Sequence, residues 1–138
     1  MNDRPDREFL MMKTALLWSQ RSTCSRLQVG AVLARDKRIV SIGYNGAPKG
    51  LPHCVHTPGD ESPCTKAVHA EANVVAFAAR NGVSTESTEL FTTHSPCLGC
   101  AQLLVNTGVV TVFYNQEFRD ASGIDFLRLA GVEVWQIL

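Results

Sequence analysis

Strand patterns and helical patterns alternate along nearly the whole of this chain, and that alternation restricts its fold more than any other feature. Residues from Asp6 to Arg21 carry Phe9, Met12, Leu16 and Ser19 at helical spacing behind Pro5, a residue suited to a first turn. "LQVGAVLAR" and "RIVSIGY" read as strands on either side of Asp36-Lys37, close enough for an antiparallel hairpin. The segment from Asn45 to Pro63 has no period and is rich in Gly, Pro and His, which marks a loop long enough to carry function. A helix from Lys66 to Asn81 stops at Gly82, "TELFTTH" follows as a strand, and "CLGCAQLLVNTG" as a helix ending in glycine. "VVTVFY" is a strand of the buried type, Ser122 with Asp125 resembles a capping box opening another helix, and "VEVWQI" is a last strand. Helices interleaved with strands predict an α/β protein whose sheet is covered on both faces. At 138 residues and 45% hydrophobic content, one domain spanning 1–138 has enough apolar material for a core.

Charge narrows the function. Thirteen basic residues balance thirteen acidic ones with no block of either sign, so the electrostatic footprint of a polynucleotide-binding domain is missing. Any anionic ligand is then small and held by a few local cations. The start, "MNDRPDREFL", lacks a basic lead into an apolar core, and no apolar run approaches the roughly 20 residues that span a bilayer. The expectation is a cytoplasmic protein, in the host cytoplasm if the chain is viral, with no membrane partner. In that reducing setting the five cysteines are thiols or metal ligands rather than disulfides, and their odd number agrees.

Two short stretches carry the chemistry. In "HSPCLGC" a strand gives way to a helix, with Ser95 as the expected N-cap, Pro96 at the first helical position, and Cys97 and Cys100 on one face of the first turn. The positive end of the helix dipole there favours thiolates. Alone, such a pair is equally a redox couple or two buried structural cysteines. "TKAVHAEANVV" shifts the balance, because His69 and Glu71 stand two residues apart, a spacing that shares no helix face. One imidazole and two thiolates give three ligands for zinc and leave a fourth position for water, whose pKa a metal brings near neutral. A carboxylate beside that position can move protons, and Glu71 is offset from His69 to do so. A purely structural zinc module has no use for Glu71. The combination of His-x-Glu with Pro-Cys-x-x-Cys is the pattern of the zinc-dependent deaminases.

Around these residues the chain resembles the deoxycytidylate (dCMP) deaminases of the cytidine deaminase superfamily, through "RSTCSRLQVGAVLARDKRIVSIGYNGAPKGLPHC", "HAEANVVAFAARNGVS" and "SPCLGCAQLLVNTGVVTVFY". "GYNGAPKGLPHC" distinguishes this group within the superfamily. The resemblance implies a three-layer α-β-α sandwich around a mixed five-stranded sheet. It also implies hydrolysis of dCMP to dUMP and ammonia, which supplies dUMP for thymidylate synthesis. In that reaction water activated by zinc attacks C4 while Glu71 relays protons to N3 and to the departing amine. Asn45 is implied at the deoxyribose and its surroundings at the 5′-phosphate. Arg26 and Arg21 flank the neighbouring loop as phosphate ligands, although an arginine near a helix end is as often a solvated charge. Ser95 is expected at the substrate, and Tyr114 either faces the substrate or packs in the core. The resemblance further implies a homohexamer activated by dCTP and inhibited by dTTP, through Tyr44, Asn45, Gly46 and Gly50, with Arg80 at an effector phosphate and Mg2+ accompanying the nucleoside triphosphate. Some relatives carry a second, structural zinc, and Cys24 and Cys54 fall at matching positions. Cys64 is the expected third ligand, and His56, two residues from Cys54, is preferred over His53 as the fourth. The competing activities are other zinc deaminases acting on a nucleoside, a free base or tRNA adenosine. These share His69, Glu71, Cys97 and Cys100, but balanced charge and "GYNG" argue against tRNA.

Overall fold

The computed structural model describes residues 3–118 and 120–137. Its elements follow in the order α1 (Arg7–Ser19), β1 (Gly30–Arg35), β2 (Arg38–Tyr44), α2 (Ala70–Arg80), β3 (Thr88–His94), α3 (Leu98–Val105), β4 (Val109–Gln116), α4 (Ser122–Leu129) and β5 (Glu133–Gln136). The strands form one mixed sheet in the order β2-β1-β3-β4-β5. β1 runs antiparallel to β2 and β3, while β3, β4 and β5 are parallel. The hairpin expected at Asp36-Lys37 forms, and both residues take positive φ, the twist that lets a two-residue turn match its strands.

Alternation along each strand sends side chains to two cores. Leu33, Leu90 and Val112 pack with Val74 of α2, Leu104 of α3 and Leu127 of α4 on one face. Val32, Ala34 and Phe91 pack with Met11, Met12 and Ala15 of α1 on the other, where Phe91 and Phe113 stack at 4.7 Å. Each fully buried Leu or Phe contributes about 1.5–3 kcal/mol over leaving it in water. The predicted sandwich is therefore present, with one helix against three.

Several local expectations change. α1 turns Met11, Met12, Ala15 and Ser19 inward and leaves Phe9 44% exposed. Gly30 explains this, since a Cβ there would lie 2.0 Å from the carbonyl of Ala15; the helix meets the sheet backbone to backbone, through its small residues. α2 starts at Ala70 rather than Lys66, because Gly46 and Val68 pair through their backbones and hold the preceding chain extended. α3 is capped by Cys97, whose Sγ accepts the Cys100 amide, and not by Ser95, whose hydroxyl instead accepts the amide of Phe118 at 2.6 Å. Ser122 and Asp125 form no capping box: Ser122 is already helical, and its amide donates to Asp120 at 2.9 Å. Among the described residues no helix is long and apolar enough to cross a membrane.

Candidate active site and metal centres

The N-termini of α2 and α3 converge at the carboxyl end of β3. His69 is the residue before α2 and Cys97 the residue before α3, so both are extended cap residues, and Cys100 sits one turn further on. His69 Nδ1 lies 3.5 Å from Cys97 Sγ and 3.4 Å from Cys100 Sγ. A tetrahedral zinc with ordinary Zn–S and Zn–N bonds separates sulfur from nitrogen by about 3.5 Å. The three residues thus fit zinc in both chemistry and spacing, and they leave a fourth position for water.

Of the three, Cys97 is already held in the form that a cation needs. Hydrogen bonds from Cys100 and then His69 hold the Cys97 thiol down to about 3, and the Cys97 thiolate in turn raises His69 above its ordinary value. Cys100 is pushed far up, first by its bond to Cys97 and then by burial, so a metal must displace its proton as well as the one that the raised His69 favours. Glu71 lies beside the cluster on the first turn of α2, 4% exposed, with its pKa raised by burial. Its Oε1 accepts the Thr92 hydroxyl at 3.0 Å. Glu71 belongs to no described metal-ligand group.

A second cluster gathers Cys24, Cys54, His56 and Cys64, their ligand atoms all within 4.8 Å of one another. Cys24 Sγ and His56 Nε2 are 3.3 Å apart, again the edge expected of a tetrahedral site. Burial and the neighbouring thiols push Cys54 up to about 11. Cys64 goes the other way: burial opposes it, but the amides of Ala67 and Lys66 keep it below the usual thiol value. His56 is the fourth member and His53 is not part of the group. All five cysteines are free of disulfides.

Both clusters border one cavity of about 570 Å³, a volume suited to a nucleotide-sized ligand. Cys24, Cys64, His69 and Cys97 line it together with Glu71. Arg26, Asn45 and Ser95 line it too, as does His94, which burial holds below the usual imidazole value. The Arg26 guanidinium is braced by the carbonyls of Ser62 and, at 2.7 Å, Asp60. Asn45 is buried, and its amide clamps the chain before β1, accepting the Val29 amide at 2.8 Å and donating to the Leu27 carbonyl at 2.7 Å. Two expected substrate residues do not line the cavity. Arg21 is exposed beyond α1, and Tyr114 is 6% exposed in the core with Val112 and Leu127. Of the expected effector residues, Tyr44 stacks against Trp18, Gly46 is buried against Thr23, and Gly50 and Arg80 are exposed.

Sequence reasoning passed over Thr92, Glu61 and Phe118. The last two line the cavity from irregular segments that carry no period, so nothing in the sequence marked them. Thr92 had a signal: alternation along "TELFTTH" puts it on the same buried face as Leu90, two residues before the turn to the cysteines.

A mixed sheet with a His-Cys-Cys cluster and a buried carboxylate that does not ligate defines the zinc-dependent hydrolytic deaminases. Residues 5–116 match the family described as the cytidine and deoxycytidylate deaminase zinc-binding region, and the chain belongs to that family. It is 38% identical to the crystal structure of dCMP deaminase from the cyanophage S-TIM5 in complex with dCMP and dUMP, over 99% of this chain and 100% of that one, with a TM-score of 0.90. Deoxycytidylate deaminase of Mycobacterium phage D29 is 35% identical over 83% of this chain and 98% of its own length. ComE operon protein 2 of Bacillus subtilis is 35% identical over 94% of this chain and 70% of its own length.

Proposed function

We propose that this chain hydrolyses dCMP to dUMP and ammonia, supplying dUMP for thymidylate synthesis. The observation that carries the reading is the buried Glu71 carboxylate beside a three-ligand cluster, opening on a cavity of nucleotide size. A zinc ion held by His69, Cys97 and Cys100 supplies Lewis-acid activation of water near neutral pH. Glu71 takes a proton from the attacking water and delivers protons to ring N3 and to the departing amine. Its burial favours the protonated carboxyl, which is the form that donates. Arg26, braced in the cavity wall, is assigned to the 5′-phosphate, and the second N–H of the Asn45 amide to the deoxyribose. Ser95 supports the floor of the site through its bond to Phe118.

Cys24, Cys54, His56 and Cys64 are assigned to a second, structural zinc, supported by four ligands of the right types within reach of one ion. The regulatory reading is a cytoplasmic homohexamer activated by dCTP and inhibited by dTTP, with Mg2+ on the triphosphate and Tyr44, Asn45, Gly46, Gly50 and Arg80 at the effector site. Its support is the likeness of "GYNGAPKG" to dCMP deaminases. One experiment tests the central activity: turnover of dCMP, deoxycytidine, dCTP and tRNA adenosine by protein of measured zinc content. Turnover is expected with dCMP far above the others, and a preference for any other substrate overturns the assignment. Sedimentation and saturation curves with and without dCTP check the assembly, and an unshifted monomer rejects it.

A further inference from the structure

Glu71 has to point its carboxylate at the water and the ring while surrounded by protein, and α2 holds it only through the backbone amide of Glu71 itself. A glutamate side chain has three rotatable bonds, and its position at the start of the helix leaves it free of the turn that would precede it. Among the described residues the side-chain O–H that reaches it belongs to Thr92. Thr92 is wholly buried on β3, the middle strand of the sheet, between Ala31 of β1 and Tyr114 of β4. It is therefore held on both sides by the backbone ladder, whereas Glu71 hangs from a helix end. The rigid partner sets the position of the mobile one.

We infer that Thr92 is a positioning residue for the Glu71 carboxylate. The inference rests on the deaminase reading of Glu71. The hydroxyl oxygen lies 3.0 Å from Glu71 Oε1 and 3.0 Å from the carbonyl oxygen of His94. A hydroxyl has one proton to give and two lone pairs to receive with. While Glu71 is a carboxylate, Thr92 donates to it. With Oε1 held in this way, the second carboxylate oxygen is left to exchange protons with the water and the ring. The carboxylate is thereby held in one direction before substrate arrives, which is the preorganisation that a proton transfer needs. A valine fills the same space and has no proton to donate.

The test uses zinc-loaded protein and three variants. Thr92→Val should lower kcat by roughly 10–100-fold while KM stays within about twofold of wild type, because orientation is lost and binding is not. Zinc content should be unchanged. Thr92→Ser restores the hydroxyl and should recover most of kcat, and Thr92→Ala carries the forecast for Thr92→Val should the valine variant not fold. Crystals of the variants give a readout that needs no substrate: the Glu71 carboxylate should be turned away from its wild-type direction in Thr92→Val and retained in Thr92→Ser. Wild-type kcat in Thr92→Val with an unmoved carboxylate overturns the inference, as does a loss that serine fails to recover. A wild-type protein inactive on dCMP would instead reject the substrate reading, while the crystal comparison still judges Thr92.

Discussion

Glu71 and Arg26 divide the work of the site between proton transfer and recognition, and each can be removed separately. Glu71→Gln keeps the size and the hydrogen bond from Thr92 but cannot accept and return a proton. It should retain its zinc and its melting temperature while turnover falls by about 10²–10⁴-fold, the usual contribution of a general acid-base. Turnover near wild type in a zinc-loaded variant would remove Glu71 from the mechanism. Arg26→Ala should instead erode the preference for dCMP over deoxycytidine, seen as a raised KM for the nucleotide alone, since Arg26 lines the cavity with its guanidinium braced on loop carbonyls. An unchanged preference means that another group holds the phosphate. These two residues were legible in the sequence to different degrees. His69, Glu71, Cys97 and Cys100 are demanded by the chemistry as residue types at fixed spacing. Arg26 ranks ahead of Arg21 in the sequence only narrowly, because the arginine that lines the cavity is held there by the 60–62 carbonyls from a remote part of the chain. Tyr114 was open for a similar reason: a strand end permits both orientations until the helices above it are in place.

At the scale of the element, the turn that carries Cys97 is held from outside. A Cβ on Gly123 in α4 would sit 2.0 Å from the Pro96 carbonyl and 2.9 Å from the Cys97 carbonyl, so α4 packs directly on the backbone of the metal-ligand turn. Gly123→Ala must push the two apart. The expected result is a loss of about 1–3 kcal/mol in stability, typical of overpacking, with weakened zinc binding in a competition against a chromogenic chelator. Zinc affinity equal to wild type shows that the turn tolerates the shift. Strands were the elements most readable in the sequence: "RIVSIGY" and "TELFTTH" match β2 and β3 end to end, because turn residues and alternation bound them locally. Helix starts were not. Val68 is kept extended by Gly46, and Ser95 is taken up by Phe118, so both caps moved one or more residues toward the metal ligands for reasons that lie elsewhere in the chain.

For the molecule as a whole, metal content reports how many sites the fold builds. Wild-type protein should hold about two zinc per chain and Cys54→Ser about one, measured by elemental analysis, since a closed structural site needs its four ligands. One zinc per chain in fully loaded wild type rejects the second site. Balanced charge, the alternating elements and the three-layer arrangement were all readable in advance. What was not readable was that the second cluster would share a wall with the first, since nothing local in 45–69 says where that loop folds over. The same loop is pinched shut at its base, where Gly46 and Val68 exchange two backbone hydrogen bonds of 3.1 and 2.8 Å. Its ends are therefore joined before its contents are decided, and doubling its length adds only about 0.6 kcal/mol of closure cost. The clasp frees the length of the segment but not its contents: between residues 46 and 68 lie three members of the second cluster and the carbonyls that brace Arg26, so any exchange that keeps the cavity wall has to carry those with it.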